Sequence, residues 1–150
     1  MDRRIESLVD LGRIRIEKDV DAWFEAIGRA FPQAHNRLAW NRVFQHAQRV
    51  VLQPGEVAAN ELEELLRGHR NEVLAWLTAA GALPATKVVW VGDMDDFGFS
   101  MSLTDFIEMY PVLMALPQHS YVVPRADLSW CLCYEMEGVL HFGVSAKSVG

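Results

Sequence analysis

The 150-residue sequence predicts an α+β fold, with a helical N-terminal layer over residues 1–83 packed on a mainly antiparallel C-terminal β-sheet over 84–150. Three observations carry that expectation. Apolar residues recur at helical spacing through the first 80 or so positions. After Pro84 the chain changes to β-branched and aromatic runs. Residues 129–145 alternate with a period of two around Glu137-Gly138, a hairpin signature. No polar or Pro/Gly-rich linker separates the two parts, so one domain is expected, with one or two helices among the strands.

Ile5, Leu8, Val9 and Leu11 predict a first helix ending at Gly12. Asp19 or Asp21 caps a second, which runs to Ala30 with Val20, Trp23, Phe24 and Ile27 on one stripe and Pro32 beyond it. A third is expected over roughly 35–51, with Leu38, Val43, Phe44 and Ala47 inward and Arg37, Arg42 and Arg49 outward. Pro54-Gly55 breaks the chain. Glu56 opens a helix that turns Leu62, Leu65 and Leu66 inward and Glu61, Glu63 and Glu64 to water. Asn71 caps the next, which carries Val73, Leu74, Trp76 and Leu77 and stops at Gly81 and Pro84.

Thr86 to Val91 has no polar helical face and reads as a buried strand. Phe97 to Met101 is either its hairpin partner or the start of the next element. Ser102 or Thr104 caps a helix with Leu103, Phe106, Ile107, Tyr110 and Leu113, kinked or divided at Pro111. Tyr121 to Val123 is a short strand stopped by Pro124. In the final hairpin Trp130, Leu132, Tyr134 and Met136 alternate with Ser129, Cys131, Cys133 and Glu135.

Charge narrows the function classes. The net charge is −6, and its placement is uneven. Residues 1–87 hold 12 basic and 12 acidic residues, whereas residues 88–150 hold Arg125 and Lys147 against eight acidic ones. Such a field repels nucleic acid and anionic membrane and attracts cationic partners. No apolar run approaches the roughly 20 residues that cross a bilayer, and the charged N-terminus lacks the apolar stretch of a secretory signal. Two cysteines on one strand face suit buried thiols better than a bridge. A reduced, cytoplasmic protein is expected.

The densest chemistry lies in "WVGDMDDFGFS", residues 90–100, where Asp93, Asp95 and Asp96 follow a strand end. Oxygen ligands at that place suit a hard cation, but a calcium loop needs further ligands where Phe97 and Phe99 stand. No nucleophile elbow, phosphate-binding glycine loop or His-Glu-x-x-His motif is present. The five histidines share no ligand spacing. No catalytic residue, metal or cofactor is therefore assigned.

Residues 120–143, "SYVVPRADLSWCLCYEMEGVLHFG", resemble a segment of small bacterial immunity proteins, the antitoxins of polymorphic-toxin and contact-dependent inhibition systems. The matching elements are the Tyr-Val-Val-Pro strand, the Asp-Leu-Ser-Trp-Cys-Leu run and the acidic turn before His141-Phe142-Gly143. The resemblance implies a non-catalytic protein that binds and neutralises a cognate toxin domain, with a nuclease and its basic cleft as the expected partner. The residues expected to bind are Asp93, Asp95 and Asp96, with Phe97 and Phe99 as anchors and Asp105, Glu108, Glu135 and Glu137 contributing. The alternatives are a small metal-dependent hydrolase using the same three aspartates and a protein-binding adaptor domain.

Overall fold

The computed structural model describes residues 1–32, 44–52, 59–116 and 118–145. Within them the chain runs α1 (Arg3–Asp10), β1 (Arg15–Glu17), α2 (Val20–Ala30), β2 (Gln45–Val51), α3 (Ala59–Gly68), α4 (Arg70–Ala79), β3 (Lys87–Gly92), β4 (Gly98–Ser102), α5 (Leu103–Met114), β5 (Ser120–Pro124), β6 (Trp130–Glu135) and β7 (Val139–Val144). The seven strands form one sheet in the order β1-β4-β3-β5-β6-β7-β2, and every pairing is antiparallel. The α+β class and the antiparallel C-terminal sheet are as the sequence predicts.

Local chemistry explains most boundaries. The Asp2 carboxylate accepts from the Arg4 amide at 2.8 Å and starts α1, and Gly12 leaves it at φ 75°. Asp19 caps α2 through the Ala22 amide. Ser102 caps α5 by accepting from the Asp105 amide at 3.1 Å, and the helix continues through Pro111 without dividing. Phe97–Met101 resolves as the hairpin partner of β3, with Trp90 opposite Phe99. The turn between β6 and β7 closes with Gly138 at φ 85°, its amide bonded to the Glu135 carbonyl.

Several expectations are corrected. Residues 45–51 form strand β2 and not the end of a helix; the expected helix over 35–43, Pro54-Gly55 and the Glu56 start lie outside the described residues. β2 is an edge strand, so Gln45, Gln48 and Arg49 are exposed and the pattern mimics a helix's polar face. α4 begins at Arg70 after His69, so Asn71 is inside the helix and does not cap it. The N-terminal half also supplies both sheet edges, β1 and β2, which were not anticipated.

The sheet is covered on both faces. One face, with Val88, Trp90, Met101, Trp130, Leu132 and Phe142, packs against α1, α3, α4 and α5. The other face, with Val89, Val91, Val123, Cys131 and Cys133, lies under Val20 and Ile27 of α2 together with Phe31 and Phe44. Every residue of β6 is therefore buried, although its sequence alternates. Cys131 and Cys133 are unbridged thiols, and burial pushes both well above the ordinary thiol range, which disfavours the thiolate form.

Arg4 clasps α1 to α3 by bonding Asp2 at 3.0 Å and Glu63 at 2.7 Å. Its guanidinium holds both carboxyls below the usual carboxylate range. Because their folded pKa values are depressed, the stabilisation exists above the unfolded carboxylate range and is lost as pH falls through the folded values. Arg4 is half exposed, so Arg4→Met is expected to cost only about 0.5–1 kcal/mol at neutral pH. Urea titrations should show the two proteins converging near pH 2.

Candidate functional site

The loop between β3 and β4 closes one end of the sheet and carries Asp93, Met94, Asp95 and Asp96. Three carboxylates in four residues repel one another, so something must hold the loop. Gln118, just before β5 and only 3% exposed, does so with both ends of its amide. Its Oε1 accepts from the Met94 amide at 2.7 Å, and its Nε2 donates to Asp95 Oδ2 at 2.6 Å. His119 adds a reciprocal pair. Its amide donates to Asp93 Oδ1 at 3.1 Å, and its carbonyl accepts from the Asp93 amide at 3.0 Å.

His119 also reaches the β6–β7 turn, where its Nδ1 accepts from the Met136 amide at 3.2 Å. That bond places the proton of the neutral ring on Nε2. Loop 93–97, residues 118–119 and turn 136–138 thus form one tied surface at the Gly92 end of the sheet. Met94 is 75% exposed and Met136 43% exposed on it. Asp93, Asp96 and Glu137 are exposed, and Asp95 is half-buried. Among the described residues none of these four carboxylates is ion-paired to Lys or Arg. The sequence offers no basic residue at all between positions 88 and 124.

The structure separates the rest of the expected binding set from this surface. Asp105 and Glu108 sit on α5, which starts beside the Lys87 end of β3, and Arg13 pairs with both. Their charge is therefore spent within the molecule, on a cation 92 and 95 positions away in sequence. Glu135 is buried and lies 3.4 Å from the fully buried His141. Phe99 is buried too, stacked on Trp90 at 5.6 Å, and only the half-buried Phe97 touches the loop's surface. The exposed apolar groups are instead Met94 and Met136. Met94, Gln118 and His119 were not singled out by the sequence, which shows no motif at 118–119, and Met136, expected in the alternating stripe of the last hairpin, lies instead exposed in the turn after β6.

Among the described residues no group of three or more His, Cys, Asp or Glu side chains is arranged to hold a metal ion. Asp93 and Asp95 use their oxygens to fix the loop, leaving Asp96 and Glu137 pointing at solvent without partners among the described residues. Flexible, polarisable thioethers inside an acidic frame suit a partner that presents cations beside apolar groups. Among the described residues no helix is long and apolar enough to cross a membrane. No family model, no curated protein and no solved structure matches the chain.

Proposed function

We propose that this chain is a non-catalytic immunity protein that binds a cognate bacterial toxin domain through the acidic, methionine-bearing end of its sheet. The observation that carries the reading is the tied surface: Gln118 and His119 hold loop 93–97 while, among the described residues, its outward carboxylates have no cation of their own. A preorganised acidic surface of this kind takes the place of phosphate in a basic cleft, which makes a nuclease the favoured toxin. Met94 and Met136 supply the apolar contact that charge alone rarely provides. The resemblance of residues 120–143 to immunity proteins supports the same reading, as does the −6 charge gathered after residue 87. Such a protein acts in the cytoplasm and does not itself bind nucleic acid.

The test is co-expression with the toxin domain encoded beside this gene. The pair Asp96→Lys and Glu137→Lys lies on the exposed rim, so folding is expected to be unchanged. Toxin affinity should fall by about 100-fold, mostly through slower association, with loss of growth protection. Full protection by the double variant would overturn the acidic-surface reading, and a neighbourhood without a toxin gene would overturn the immunity assignment.

A further inference from the structure

A second place in the molecule is built with unusual backbone, at the opposite end of β6 and β7 from the acidic surface. A cleft of about 570 Å³ opens between β2, α4 and the turn joining β5 to β6. That volume suits a small organic ligand. Its floor is aromatic, for Trp76 of α4 stacks on Phe142 of β7 with centroids 6.0 Å apart and planes 22° from parallel. Its rim is polar, with Gln45 and Gln48 from β2 and Asp127 and Ser129 from the turn.

The register of β2 explains how two amides reach one cleft. Residues three apart in a regular strand point to opposite faces. Here Gln45 lies opposite Val144 and Gln48 opposite Phe142, so three steps on β2 span two on β7. The extra residue is a bulge, and it turns both glutamines to the face that carries Phe142 and Trp76. The bulge holds His46 at φ 51°, a left-handed conformation that a side chain resists. Across the cleft the β5–β6 turn holds Leu128 at φ 49°. These are the two non-glycine residues with positive φ among those described; His46 lines the cleft, and Leu128 stands between two residues that do, its own side chain packed on the opposite face of the sheet. Strain of this kind persists where a site requires it.

The chemistry of the walls selects the ligand. Neither glutamine amide is bonded among the described residues, so each offers a donor and an acceptor side by side. Among the described residues Asp127 is the one formally charged side chain on the rim, one of its oxygens accepts from the Ser129 amide, and its charge disfavours anions. We propose that this cleft binds a small, uncharged, planar ring with hydrogen-bonding edges, of nucleobase type, lying against Trp76 and read by Gln45 and Gln48.

Adenosine is the probe, titrated to millimolar concentration into the uniformly ¹⁵N-labelled full chain. Saturable shifts are expected at residues 45–48, 76–80 and 127–129, with none from ribose alone. AMP should bind no more tightly than adenosine. Gln48→Ala, an exposed change that leaves the core intact, should weaken binding roughly five-fold, the worth of one hydrogen bond. Absence of shifts in those segments, equal shifts from ribose, tighter binding of AMP or unchanged affinity in Gln48→Ala would each overturn the proposal.

Discussion

Gly98→Ala is expected to destabilise the protein by about 3 kcal/mol and to lower its melting temperature by about 10 °C. A Cβ at this position would stand 2.5 Å from the carbonyl oxygen of Trp90 and 2.9 Å from Cγ1 of Val91. The first neighbour is backbone of the adjacent strand and cannot turn away, so β3 and β4 must separate or slip. Both strands are buried along almost their whole length, and slippage would pull Phe99 off Trp90. Gly28 is the control. It lies in α2 with nothing within 4 Å of its Cβ position, and alanine there should stabilise by about 0.5–1 kcal/mol. Chemical denaturation of both variants checks the pair, and a loss below about 1 kcal/mol at Gly98 would show that the strands relax freely.

Gln118→Glu is the second large effect, and its size should depend on pH. The change keeps the acceptor for the Met94 amide and removes the donor to Asp95, setting two carboxyl groups face to face where Gln118 is nearly buried. They cannot both ionise, so the folded state keeps a shared proton that the unfolded chain releases at neutral pH. A folded pKa raised above the unfolded one contributes stability below the unfolded value and loses it as pH rises through the folded value. Near pH 4 the variant should therefore approach wild type, and near pH 7 it should be about 3 kcal/mol less stable, with the Met94 amide exchanging faster. Equal losses at the two pH values would mean that the carboxyls never meet.

The sequence makes the C-terminal half of the fold readable because its signals are local. Ser102 lies three residues before the amide it caps, and Glu137-Gly138 sits between two strands that pair directly. The edges were not readable. β1 has three residues with one apolar side chain, and Gln45–Val51 mixes polar and apolar positions around a bulge, which defeats a period of two. The second face of the sheet was hidden because the stripe on α2 shows that it packs but not against which side. The acidic loop was visible as composition, yet its fixing by Gln118 and His119 joins positions 23 to 26 residues apart. Arg13 neutralises Asp105 and Glu108 across an even longer separation, so residues grouped by composition were divided by topology.

Both outer strands of the sheet come from the N-terminal half, and each pairs with a strand made much later: Arg15 with Ser100, and Val51 with Val139. During synthesis these early segments leave the ribosome with no neighbour to join. The central strands β3 to β7, with β5 returning beside β3 after α5, can assemble from nearby pieces. The two flanking strands then add to them from either side, so that the short β1 and the bulged β2 become the sheet's two edges in place of β4 and β7. Until about residue 144 has emerged, β2 has no strand to pair with and the long, buried strands β4 and β7 lack their short or bulged covers, and that interval is when the chain is most exposed to joining a copy of itself.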